Sequence, residues 1–282
     1  MFRVLLVSLL MLASSLSFAQ DEERRIISLN GDATEILFAL GAGDQLVAVD
    51  ASSNYPEEAT ELPNLGYQGN LSVEALLGYE PTHVIATEEA EPSFVLEQLA
   101  DVGVEVVKIA TQPSLETPVQ NIRQMAALVG REELGEELAV EVEEKIEAAV
   151  ARGEELEYEP RVMFLYLGAR NMQFAGGSES TSNVMIEAAG GIDAGAEIGL
   201  VGTVPITAEA LVASQPDVLI VTDRGINQLG GIEGVLELPG IRQTPAGMNE
   251  HIIVFEDLYF LGMGPRTGDA LTDLVEQLHD LQ

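Results

Sequence analysis

Cysteine, histidine, serine and paired carboxylates build most catalytic and metal sites, and this chain does not set them at the spacings such sites need. Cysteine is absent, which removes thiolate nucleophiles, disulfides and cysteine-bound metal. His83, His251 and His279 are scattered over strand and tail patterns rather than clustered with carboxylates, as a zinc or manganese carrier would require. There is no His-Glu-x-x-His, no Gly-x-Ser-x-Gly and no phosphate loop ending in lysine. Gly176-Gly177-Ser178 has no basic residue after it and reads as a turn, while Glu141-Val142-Glu143-Glu144 reads as a solvated helix face. These residues point to a protein that binds rather than one that turns over substrate. A secreted α/β enzyme stands as the alternative from a different class.

Cations are scarce. Against 47 acidic residues stand 13 basic ones, for a formal charge of −34, and Lys108 and Lys145 are the only lysines. So acidic a surface argues against nucleic acid or an anionic membrane as partner. It fits a salt-adapted organism, because in about 1 M salt the Debye length is only about 3 Å and self-repulsion is screened.

The elements that must position any site are announced by a repeat. Leu71-Ser72-Val73-Glu74-Ala75-Leu76, followed by Pro81 and His83-Val84-Ile85-Ala86-Thr87, returns as Ile206-Thr207-Ala208-Glu209-Ala210-Leu211, followed by Pro216 and Val218-Leu219-Ile220-Val221-Thr222. Ser72 and Thr207 are suited to cap a helix N-terminus, and Glu74 and Glu209 then fall in the first turn, where the helix dipole favours negative charge. Each helix must stop before its proline. The apolar, largely β-branched run that follows suits a strand buried on both faces. One helix–turn–strand unit is therefore present twice, and the chain reads as two similar halves.

Strands alternate with helices on both sides of this unit. Arg25 to Leu29 and Leu46 to Val49 read as strands flanking a helix that starts at Asn30-Gly31-Asp32; a helix near Ser93, a strand at Val104 to Ile109 and a helix from Pro118 to Val129 follow. Leu138, Val142, Ile146 and Val150 recur at about four-residue spacing among glutamates, so residues 132–156 read as one helix about 37 Å long. The expected fold is α/β: two doubly wound parallel-sheet lobes, 20–130 and 158–282, joined by a long backbone helix within 131–157, with the ligand cleft between the lobes. Residues 1–19 carry Arg3, an apolar run from Val4 to Leu12 and Ser17-Phe18-Ala19, the marks of a cleavable signal peptide.

At this point the chain resembles the helical-backbone substrate-binding proteins of ABC importers for vitamin B12, siderophores and heme. Thr34-Glu35, Leu40-Gly41-Ala42-Gly43 and Gly66-Tyr67 before the first copy of the repeat carry that likeness. Gln112-Pro113, Ala188-Ala189-Gly190-Gly191, Leu238-Pro239-Gly240-Ile241, Thr244-Pro245-Ala246-Gly247 and Leu261-Gly262-Met263-Gly264 are most similar to the heme-binding members. The resemblance implies a periplasmic, monomeric, non-enzymatic carrier that delivers heme to an inner-membrane permease dimer and its ATPase. A ferric-siderophore or corrinoid (vitamin B12) carrier is the alternative within the class.

The resemblance also assigns roles. The tyrosine matching Tyr67 is the axial ligand of heme iron in the family, and a phenolate is a hard anionic donor suited to ferric iron. Some members have an arginine two residues later, where this chain has Gly69, and some a second-lobe histidine aligning near Gly168. Tyr67 would then hold five-coordinate heme, with Tyr166, Met172 or Tyr259 as candidates for the far side. Heme propionates would fall to Arg170, Arg224 and Arg266, whose forks suit carboxylates. The glutamates matching Glu74 and Glu209 meet arginines of the two permease subunits.

Overall fold

Strands buried on both faces must feed two cores at once, and alternate residues here do so. The computed structural model describes residues 24–88, 90, 92–167 and 173–281, so the signal-type segment 1–19, Arg170 and Met172 lie outside the described residues. The first lobe runs β1 (Ile26–Ser28), α1 (Gly31–Ala39), β2 (Leu46–Val49), α2 (Val73–Leu77), β3 (His83–Thr87), α3 (Ser93–Asp101), β4 (Glu105–Ile109) and α4 (Thr117–Val129). Its sheet is parallel, in the order β2-β1-β3-β4. Ile26 and Ile85 join one core, whereas Ile27, Val84 and Ala86 join another on the opposite face.

Helix α5 (Glu132–Gly153) leads to the second lobe, which begins β5 (Arg161–Leu167), β6 (Gln173–Gly176), α6 (Thr181–Ala188), β7 (Ile192–Asp193), α7 (Ala194–Glu197) and β8 (Thr203–Pro205). It continues with α8 (Ala208–Ser214), β9 (Val218–Thr222), α9 (Asp223–Leu229), α10 (Ile232–Leu236), α11 (Pro245–Asn249), β10 (Ile252–Phe255), α12 (Asp257–Leu261) and α13 (Thr267–Asp280). The two-lobe α/β architecture is as expected, with one correction. In the second sheet, ordered β10-β9-β5-β6-β8, only the β10-β9-β5 side is parallel, with short β7 also parallel to β5; β6 is antiparallel to both of its neighbours. Too few residues separate β5 from β6 for the crossover of a dozen or more that a parallel pair needs.

The repeat is visible in the backbone. Ser72 accepts from the Ala75 amide at 3.4 Å and Thr207 from the Ala210 amide at 3.2 Å, each capping its helix. Before the two prolines, Glu80 and Gln215 take the same left-handed conformation, with φ of 49° and 48°. That conformation stops the helix and turns the chain into β3 or β9.

Helix α5 joins the lobes through shared packing. Its buried stripe is Gly135, Ala139, Val142, Ile146, Ala149 and Gly153, a spacing of three or four that keeps one face inward. The core containing this stripe extends without interruption from Ile36 and Ile122 in the first lobe to Phe164, Met185 and Leu274 in the second. Small residues bring the helices close. A Cβ on Gly135 would sit 2.1 Å from the Ala126 Cβ of α4, and one on Gly153 would sit 2.7 Å from the Ala189 carbonyl carbon.

Gly135→Ala separates propensity from packing. Helix propensity alone would stabilise α5 by about 1 kcal/mol. The contact with Ala126 instead predicts a net loss of about 1–3 kcal/mol in urea unfolding; a gain in stability would show that α4 and α5 move apart freely.

Candidate functional site

Open parallel sheets bind ligands beyond the carboxyl ends of their strands, and the loops at those ends meet between the lobes here. After β1, Asn30 caps α1 by accepting from the Ala33 amide at 2.9 Å. Gly31 follows, where a Cβ would lie 2.7 Å from the Ser52 carbonyl oxygen and 2.8 Å from a methyl of Leu258 on α12. Only glycine lets the start of α1 come this near the second lobe. After β2, Ser52 and Ser53 each donate to Asp50 at 2.8 Å, and the chain turns at a cis Tyr55-Pro56 bond. Burial pushes Asp50 up from the ordinary aspartate range, and these hydroxyl bonds oppose it.

Tyr67 is set at the edge of the first sheet by backbone pairing. Asn64 bridges to Val49, the Leu65 amide donates to the Val49 carbonyl at 2.9 Å, and the Ala51 amide donates to the Gly66 carbonyl at 3.0 Å. Gly66 then takes a φ of 77°, which glycine adopts without strain, and Tyr67 emerges 55% exposed.

The second lobe answers with the ends of β9 and β10. Arg224, in the first turn of α9, donates from Nη1 to the Tyr67 hydroxyl, and its Nε lies 3.5 Å from Oδ2 of Asp257 at the start of α12. A cavity of about 290 Å³ beside this bond is lined by Asn30, Asp32, Tyr67, Tyr166, Arg224 and Asp257, among others. It is flanked by hollows of about 480 Å³, reaching Asn227 and Glu256, and about 500 Å³, reaching Thr111, Ser182 and Thr203. Burial, and after it the negative charge of Asp257, raises the Tyr166 hydroxyl above the ordinary tyrosine range.

Tyr67, Tyr166 and Arg224 therefore line one cavity. Arg266 and Tyr259 are drawn elsewhere. Arg266 makes a two-bond fork to Glu35 of α1 at 2.9 and 2.8 Å, and its guanidinium lies 3.7 Å above the Tyr55 ring. Its donors tie the lobes to each other, and it is not among the residues lining the cavity. Tyr259 donates to Asp273 of α13 at 2.7 Å and is not among the cavity residues. Glu74 and Glu209 are both exposed in the first turns of α2 and α8, and backbone and Thr207 hydrogen bonds hold Glu209 below the ordinary glutamate range.

A family model described as periplasmic binding protein matches residues 26–258. The chain belongs to the periplasmic binding protein family. The periplasmic heme-binding protein RhuT of Roseiflexus sp. RS-1, in its apo form, is 47% identical, with a TM-score of 0.88 and coverage of 92% of this chain and 99% of that one. The periplasmic heme-binding protein BhuT in complex with two hemes is 31% identical, with a TM-score of 0.85 over 92% and 98% of the two chains. A vitamin B12-binding protein of Vibrio campbellii is 27% identical over 286 residues, 100% of this chain and 99% of that protein. Among the described residues of this periplasmic binding protein, no helix is long and apolar enough to cross a membrane, and no three His, Asp or Glu residues are grouped to hold a metal ion.

Sequence reasoning missed Asp32 and Asp257. Asp257 lies just past the end of β10, so the strand-end rule would have found it had β10 been recognised, and Asp32 lies in the first turn of the helix that follows β1. Asp32 is partly buried at the lobe junction, and its carboxyl is pushed up to about 7, chiefly by burial, with Glu35 and Asp50 adding to the rise while the Met263 amide and Arg266 oppose it. The folded protein thus keeps a proton that the unfolded chain has released, so Asp32 lowers stability as pH rises from the ordinary 3.8 toward about 7. Asp32→Asn should raise stability above pH 7 by on the order of 1–3 kcal/mol, a gain that vanishes below about pH 4. Thermal melts of both proteins across that range check this, and a gain independent of pH would contradict it.

Proposed function

We propose that this protein is the heme-binding component of an ABC importer, taking up heme in the cleft and presenting it to an inner-membrane permease. The observation that carries the reading is the exposed Tyr67 phenol at the mouth of a cleft between two lobes, with a guanidinium from the opposite lobe on its oxygen. The heme-binding proteins among its structural neighbours support it.

The chemistry follows from that pair. Tyr67 supplies a phenolate to ferric iron, and Arg224 steadies the anion by donating to its oxygen, so no proton need stay on the phenol. Arg224 therefore serves the iron ligand rather than a propionate. Arg170 is the remaining second-lobe candidate for the propionates, and Tyr166, which faces the cavity, is the far-side candidate that the fold favours over Tyr259. Glu74 and Glu209, one on each lobe, suit contact with two equivalent permease subunits. Residues 1–19 act as the signal that sends a monomeric carrier to the periplasm.

The full-length likeness to vitamin B12-binding relatives favours a corrinoid as the second reading. A hemin titration followed by absorbance, with Tyr67→Phe in parallel, separates the two. The heme reading expects a saturable Soret band with a phenolate-to-iron charge-transfer feature. Tyr67→Phe should lose that feature and at least about tenfold in affinity, or about 1.4 kcal/mol. Saturable binding of cyanocobalamin with none of hemin would establish the corrinoid reading instead.

A further inference from the structure

Arg224 is long, flexible and 45% exposed on its side chain, yet one edge of its guanidinium is directed across the cleft to Tyr67. Something must hold it there. The neighbour on its other edge is Asp257, whose side chain is only 19% exposed and whose Oδ2 lies 3.5 Å from Nε. The backbone that carries this carboxylate is anchored. It sits in the first turn of α12, whose cap Glu256 accepts from the Leu258 and Tyr259 amides at 2.8 Å each. The second oxygen of Asp257, Oδ1, is buried and has no hydrogen-bond partner. A carboxylate with one oxygen buried and unpaired is costly for a role in packing alone. Its placement makes sense as a charge that orients Arg224 toward Tyr67.

We infer that Asp257 is a positioning residue of the ligand site, acting through Arg224 to hold a hydrogen-bond donor on the Tyr67 oxygen. The arrangement parallels the outer groups that orient and tune metal ligands in other sites, where loss of the outer partner typically lowers metal affinity by about 10–100-fold. Three elements combine in it: the end of β10 supplies the anion, the end of β9 the cation, and the loop after β2 the phenol. The phenol oxygen is thereby held by a donor whose position depends on a residue that does not touch it.

The inference rests on the heme reading for its spectral consequence and on the fold alone for its structural one, and the test treats the two separately. In ligand-free protein, the Arg224 Nε–H signal in a ¹⁵N-resolved spectrum should be distinct and slow to exchange, and should merge with the solvent-averaged arginines in Asp257→Ala. A signal that is unchanged in the variant, or already averaged in the parent, overturns the inference whatever the ligand. With hemin, Asp257→Ala and Arg224→Ala should shift the charge-transfer band in the same direction and weaken binding by about tenfold each. The double variant should go no further, and Asp257→Glu should restore most of the parent spectrum. Additive effects of the two single changes, or a parent spectrum in Asp257→Ala, would overturn it. Asp257→Asn, of nearly the same shape, serves if Asp257→Ala does not fold. A parent protein that shows no phenolate feature would remove the heme reading and the spectral role with it, while the ligand-free measurement would still judge whether Asp257 holds Arg224.

Discussion

Helix α5 belongs to the cores of both lobes, and the geometry of the site depends on that sharing. In a two-lobe protein joined by loose strands, the lobes could turn against each other with little loss of buried surface. Here Val142, Ile146 and Ala149 lie in the same core as Ile122 of α4 and Leu274 of α13, so any large rotation would open apolar surface on one side of the helix or the other. At roughly 25 cal/mol per Å² of exposed apolar area, even a modest opening costs several kcal/mol. The cleft is therefore largely preformed, and small motions are what remain available to it.

A second tie sets the angle. Glu35 and Arg266 are mostly removed from solvent, with side chains 6% and 20% exposed, and each needs the other because a partly buried charge without its partner is strongly destabilising. Burial raises Glu35 and the two bonds from Arg266 pull it back. Such a pair adds little net stability compared with an apolar replacement, yet its bidentate geometry tolerates only a narrow range of approach. Alongside it, Asn54 donates to Glu256 across the same junction at 2.8 Å. These are polar contacts that choose one lobe orientation after α5 has limited the choices.

How much of this could be read from the chain depends on the distance in sequence over which each feature is encoded. The capped helix, the proline stop and the buried strand are local signals, so the units at Ser72 and Thr207 were legible down to the capping residue. The sheet faces were legible too, since β-branched runs buried on both sides have a distinct composition. The antiparallel turn at β6 was hidden because Gln173 to Gly176 is short and glycine-terminated and resembles a loop. The site was legible in its elements and not in its pairings. Tyr67 and Arg224 are 157 residues apart and Glu35 and Arg266 are 231 apart, and no local pattern says which of two second-lobe arginines meets the phenol and which the glutamate. Only the folded chain assigns them, and it gives Arg266 to the lobe junction.

The acidic surface gives that assignment its force. With 47 carboxylates against 13 cations, an arginine on this protein has an anionic neighbour nearly anywhere, and a position beside a phenol hydroxyl is not what bulk charge would select. Asp257 reconciles the two demands: it satisfies the cation electrostatically from the second lobe and leaves an edge of the guanidinium to face the first. The same excess of negative charge makes the cleft a poor place for an anion in general, so a ligand with carboxylate edges gains little from the surroundings and must be held chiefly through a directed bond. On the proposed heme reading, a site held chiefly through one bond suits a carrier, because a partner that disturbs only the Tyr67 loop or the end of β9 can release the cargo without unfolding either lobe. On this view the rigid α5 and the exposed phenol are complementary: the first keeps the site in place before the ligand arrives, and the second leaves it within reach of whatever takes the ligand away.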